Sequence, residues 1–144
     1  MKLFARHRRD RRLDKDLGRG LWRQARDRFA RGLDRYHQVI EGVEDDAVHN
    51  HLVAIGDELA EQLPSVQDLC THAHRLFPGE GMDIPGRASE LHSQLSKAAN
   101  HMATTAEAAA MVRLGSAEVV AVRRRADRVL SSLQDAEAAL ERIR

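Results

Sequence analysis

The most constraining feature of this chain is an unbroken alternation of three- and four-residue steps between apolar positions across its second half. Ala88, Leu91, Leu95, Ala98, Met102, Thr105, Ala109 and Val112 form one such series. Val119, Val122, Ala126, Val129, Leu133, Ala136, Leu140 and Ile143 form another. A mean step of 3.5 residues gathers each series into one stripe on a helix, whereas a strand would need a step of two. A sustained seven-residue period further predicts helices that cross at a shallow angle with interdigitating side chains. The two series are separated at Gly115-Ser116, where glycine ends one helix and Ser116 is expected to cap the next. If the break were absent, a single rod would result, and it would need a second copy to cover its stripe.

The first half repeats the theme less cleanly. Leu13, Leu17, Leu21, Ala25, Phe29, Leu33, Tyr36, Ile40 and Val43 predict one helix from about Asp10 to Gly42, weakened near its start by Gly18 and Gly20. Glu44, Asp45 and Asp46 supply an acidic first turn for a second helix. Its stripe is Val48, Leu52, Ile55, Leu59, Leu63, Val66, Leu69, Ala73 and Leu76. Pro64 falls inside this stripe and predicts a kink; two shorter helices with Pro64 in the first turn of the second is the alternative. The stretch from Phe77 to Gly86 contains two prolines and three glycines, so it reads as the one long loop, with Met82 and Ile84 expected to close the end of the core.

Composition agrees with this periodicity. Aromatic residues make up 3% of the chain, while alanine, leucine and arginine dominate, which favours helix over sheet. The expected fold is therefore all-α, an antiparallel up-down four-helix bundle with long helices. Residues 10–144 would form a single domain preceded by a loose basic arm, residues 1–9. No apolar run is long enough for a transmembrane segment, and the basic start lacks the apolar stretch of a secretory signal. The single cysteine, Cys70, fits a reducing compartment, so a cytoplasmic location is expected.

Signatures of catalysis are missing. The chain has no glycine-rich phosphate loop, no nucleophile elbow, no paired cysteines and no Glu-x-x-His of the kind that di-iron bundles use. A non-enzymatic protein without a cofactor is the expectation. Two clusters are nonetheless candidate metal ligands. His37 and Glu41 lie four residues apart before the Gly42 turn, and Asp45 and His49 lie four apart after it. Two imidazoles and two carboxylates suit zinc or iron. The same residues also fit a solvated helix junction. Cys70 and His74, with His72 and His92, make the second cluster, but a lone cysteine more often serves as a small buried hydrophobe.

Charge is distributed unevenly. Residues 1–35 carry a net charge of +8 and residues 36–144 a net charge of −7, giving the overall +1. Lys2, Arg6, Arg8, Arg9, Arg11 and Arg12, with His7 among them, form a basic arm suited to nucleic acid or an anionic membrane, and Met1, Leu3 and Phe4 could wedge into a lipid surface. Downstream arginines are interleaved with Asp10, Asp14, Asp16, Asp27 and Asp34, the pattern of a salt-bridged solvent face. On the third predicted helix, Ala99, Ala103, Ala106 and Ala110 form a second small-residue line beside the stripe. That line is a candidate interface with a protein partner, in particular a homodimer, although alanine also tolerates exposure. The leading functional expectation is an interaction or scaffold protein. Binding of nucleic acid or an anionic membrane through the arm and the first helix is the alternative, and metal binding the third.

Overall fold

The computed structural model describes residues 2–144, of which Lys2 is placed in its backbone only. All regular structure among the described residues is helical. Six α-helices follow one another: α1 (Lys2–Leu17), α2 (Leu21–Ile40), α3 (Asp46–Ala60), α4 (Gln62–Leu76), α5 (Ser89–Arg113) and α6 (Val119–Ile143). A single 3-10 turn, Gly86–Ala88, precedes α5. Among the described residues no helix is long and apolar enough to cross a membrane.

The first predicted helix is in fact two. Gly18 has φ of 74°, a left-handed conformation that side chains other than glycine's resist. Its amide still closes the last turn of α1 on the Asp14 carbonyl at 3.0 Å. A Cβ at Gly18 would also stand 2.6 Å from Cε1 of His74 on α4. Gly20 is equally hemmed in, because a Cβ there would meet the Gly81 carbonyl oxygen at 2.5 Å. That oxygen accepts a hydrogen bond from the Leu21 amide at 3.1 Å, and the Arg19 amide donates to the Glu80 carboxylate at 2.7 Å. The two glycines thus turn the chain and let the long loop lie against the turn.

Pro64 sits in the first turn of α4, so the two-helix alternative is the one found. Proline has no amide hydrogen to offer the Ala60 carbonyl, which ends α3. Glu61 between the helices keeps helical angles, φ −62° and ψ −21°, so α4 continues beyond α3 without reversing. Asp45 opens α3 by accepting a hydrogen bond from the Val48 amide at 2.9 Å. At the other turn, Gly115 with φ of 79° and the bonds Ser116 N to Met111 O (2.8 Å) and Gly115 N to Val112 O (3.0 Å) close α5 in a Schellman motif. Ser116 therefore serves the end of α5. It does not cap α6, whose N-cap is Glu118.

The long loop also departs from expectation. Met82 and Ile84 are 49% and 48% exposed and do not cover the core. The loop is held to the α1–α2 junction by the Gly81 carbonyl, which accepts from the Leu21 amide, and by the Glu80 carboxylate, which accepts from the Arg19 amide. The core at this end is closed instead by buried Trp22 and Ala88. Trp22 meets His92 edge to face at 5.9 Å. Phe77 is half-buried and lies under the Arg87 guanidinium at 5.8 Å.

Helix directions follow from cross-contacts. The Tyr36 hydroxyl donates to the Leu52 carbonyl at 2.5 Å, and Arg26 donates to the Gln67 side chain at 3.1 Å. As α2 ascends, α3 and α4 therefore descend beside it. The tight turn at Leu114 to Glu118 likewise makes α5 and α6 antiparallel. Between these two hairpins the neighbours are parallel. Trp22 faces His92, and Arg28 reaches Asn100 at 2.8 Å, so α2 and α5 run together. Arg123 pairs with Glu58, and Asp68 and His72 flank Glu137 and Glu141, so α6 runs with α3 and α4. The loop from Phe77 to Pro85 carries the chain across the end of the molecule, which places α5 beside α2. Phe29, Tyr36, Leu52, Leu59, Met102, Val122, Val129 and Leu133 are all buried in the core that results.

Candidate functional site

The basic segment is helical, and it is divided in two by its apolar content. Leu13 and Leu17 are 6% and 2% exposed, seated where α1 meets α4 and α2. Residues 3–12 are exposed without exception. Ten helical residues span about 15 Å, so the outer turns of α1 stand clear of the packed body. Leu3 and Phe4 are 74% and 69% exposed near the tip.

Ion pairing follows the same division. Arg23, at the start of α2, is 16% exposed and is held by Asp14 at 2.5 Å, Asp27 at 3.2 Å and Asp10 at 3.7 Å. Arg19 adds a contact to Asp14 at 3.3 Å. Aspartates of the basic segment thus clasp the base of α1 to α2. Among the described residues, Arg6, Arg8, Arg9, Arg11 and Arg12 pair with no carboxylate. They present a dense positive field on the exposed outer turns of α1. Of the predicted arm, Met1 and the side chain of Lys2 lie outside the described residues.

The metal candidates are not brought together. Among the described residues no three His, Cys, Asp or Glu side chains converge in a way that could hold an ion. His37 turns edge-on to Tyr36 at 5.9 Å, Asp45 is engaged as the cap of α3, Glu41 is exposed, and His49 is half-buried on α3. The turn at Gly42 to Glu44 carries the chain from one hairpin arm to the other without facing the two pairs inward. The second cluster is dispersed as well. Cys70 is fully buried, and burial pushes its thiol up to about 12. His72 bonds the Asp68 carbonyl at 2.9 Å, His74 lies against Gly18, and His92 lies against Trp22 with its pKa lowered by burial and then by Arg28.

The alanine line on α5 is used largely within the chain. Ala99 and Ala106 are 4% and 0% exposed, Ala110 is half-buried, and Ala103 alone is exposed. The reason is the parallel approach of α2. A Cβ on Gly32 would fall 2.9 Å from Cγ of Met102, and small residues on α5 make that closeness possible. With α6 on its other side, α5 is covered along two faces, which accounts for much of its apolar circumference.

One surface was not anticipated from the sequence. At the end opposite α1, the α2–α3 and α5–α6 turns lie side by side and enclose an open cleft of about 800 Å³. Val43, Val48, Val112, Leu114 and Val119 give it apolar walls, and Glu44, Asp45 and Glu118 line its rim with Arg113 as the single cation. Leu114 is 79% exposed, and Met111 and Val120 nearby are 46% and 51% exposed. The signal available in the sequence was that Met111, Leu114 and Val120 fall off the three-four stripes.

No known family, curated protein or solved structure matches this chain. Its chemistry therefore has to be read from its own surfaces.

Proposed function

We propose that the chain is a non-enzymatic interaction module, a four-helix up-down bundle that holds out α1 as a basic binding arm for a protein partner. The two hairpins, α2 with α3–α4 and α5 with α6, make the rigid body, and Leu13, Leu17 and the Arg23 clasp anchor the arm to it. The observation that carries this reading is the full exposure of residues 3–12, with five unpaired arginines and two large apolar side chains. Such a segment adds little to folding, because it buries almost nothing. A helix with apolar anchors amid positive charge suits an acidic groove on a partner. The lone buried Cys70 fits a reducing, cytoplasmic setting.

The test is capture from a nuclease-treated lysate of the source organism. Full-length bait is compared with a full-length variant carrying Arg6→Glu, Arg8→Glu and Arg9→Glu. A protein held by the first and lost by the second is the expected result. Equal capture by both would contradict the role of the arm.

The absence, among the described residues, of carboxylate partners for Arg6, Arg8, Arg9, Arg11 and Arg12 favours a second reading, an anionic polymer or membrane as the ligand. Phosphates exchange counterions for arginines, so binding to duplex nucleic acid or to anionic vesicles would fall steeply with added salt. Retention on either probe that does not change with salt would dismiss this second reading.

A further inference from the structure

We infer that the arm's partner is a second copy of this chain, and that the tip of α1 docks into the acid-rimmed cleft at the opposite end of that copy. The inference rests on the reading of α1 as a binding arm and supplies its occupant. Three observations lead to it. First, the two surfaces complement each other in charge. Residues 3–12 hold five arginines against the single Asp10. The cleft is lined by Glu44, Asp45 and Glu118 against the single Arg113. Second, they complement each other in apolarity. Leu3 and Phe4 protrude with nothing beneath them, and the cleft, walled by valines and Leu114, is in the size range of sites that bury a ligand. Third, the two surfaces cannot meet within one molecule. The body between them is at least as long as α2, whose 20 residues span about 30 Å, while the ten free residues of α1 reach about 15 Å. An arm fixed at its base by Leu13, Leu17 and Arg23 cannot fold back that far.

The contact is heterologous, since the arm of one copy meets the cleft of the next. A head-to-tail pair leaves one arm and one cleft unfilled at its two ends, so assembly proceeds into chains or closes into a ring. Apolar anchors set the dissociation rate, and the opposed charges steer encounter, so assembly weakens as salt screens them.

Sedimentation velocity over a range of protein and salt concentrations tests this directly. The unmodified chain is expected to grow beyond a dimer with concentration and to shrink with salt. An arm variant, Leu3→Asp with Phe4→Asp, and a cleft variant, Leu114→Asp with Glu118→Lys, each replace exposed residues and leave the core intact. Each alone is expected to self-associate at least about tenfold more weakly, the loss of one buried anchor. Mixed in equal amounts, they retain one good arm and one good cleft between them, and they are expected to form a one-to-one dimer that grows no further. A monomeric unmodified chain, undiminished assembly of either variant, or a mixture that stays monomeric would each overturn self-docking. The arm variant also goes through the lysate capture. Loss of a different partner there, with an unmodified chain that is monomeric, would sink self-docking and leave the arm reading standing. Full retention of all captured partners would sink both.

Discussion

The outer half of α1 and the whole of α2 are both rich in arginine and both carry large apolar side chains, yet they behave as opposites. In α2, Trp22 and Phe29 are 3% and 1% exposed, whereas in α1 Leu3 and Phe4 are 74% and 69% exposed. Arg23 is surrounded by three aspartates, while among the described residues Arg6, Arg8 and Arg9 have no carboxylate partner. Recurrence makes the difference. Apolar residues return every third or fourth position through α2, from Leu21 to Ile40, and that stripe lies against α5 and α4. After Leu3 and Phe4, no large apolar residue follows until Leu13. A helix with no stripe gains nothing by packing, so its charges stay available for another molecule.

This contrast can be broken or sharpened by substitution, and the largest effect belongs to α2. Phe29→Ala should destabilise the protein by about 3–5 kcal/mol, measured by urea unfolding, because it empties a fully buried ring's volume. Next is the joint between the two helices. Gly18→Ala forces a side chain into left-handed backbone and against the His74 ring, and should cost about 2 kcal/mol in the same assay.

A pH effect of about 1 kcal/mol follows from the core that α2 helps to build. Burial raises the Cys70 thiol from 9.0 to about 12, so the folded chain keeps a proton that the unfolded chain releases. The associated stability is complete below pH 9 and declines as pH rises toward 12, by about 1 kcal/mol between pH 9 and 10. Tyr36, raised in the same direction by burial, adds a loss of the same sign at higher pH. Unfolding curves at successive pH values should show this decline, and Cys70→Ala should remove most of it between pH 9 and 10.

The smaller effects lie at the base and tip of the arm. Arg23→Ala releases the clasp of Asp10, Asp14 and Asp27, at a cost of about 1 kcal/mol given its partial exposure. Phe4→Ser should change the unfolding free energy by less than about 0.5 kcal/mol. A loss comparable to that of Phe29→Ala would mean that the tip of α1 is part of the core.

The regular stripes were the legible part of the sequence. Those of α5 and α6, and the loop between Phe77 and Gly86, could be placed because periodicity and prolines report local structure directly. The break at Gly18 and Gly20 was only hinted at. What requires two glycines there is His74 and Gly81, which lie far along the chain. For the same reason the alanine line on α5 suggested an external interface. Its real neighbour is Gly32 on α2, and no local pattern announces that parallel approach. His37, Glu41, Asp45 and His49 looked like a ligand set because spacing along a helix says nothing about how a turn rotates one helix against the next. The end cleft was invisible for a related reason, since it is made from two turns distant in sequence. The exposed basic character of the arm, by contrast, was readable at once, because it depends on no distant residue.

Amide hydrogen exchange on dilute protein separates the arm from the body most directly. Amides of residues 5–12 should exchange through local opening of α1, orders of magnitude faster than those of Ala25 to Val39 in α2, which should approach the protection set by global unfolding. Equal protection in the two segments would show that α1 folds as part of the core, and would contradict its role as a free binding arm.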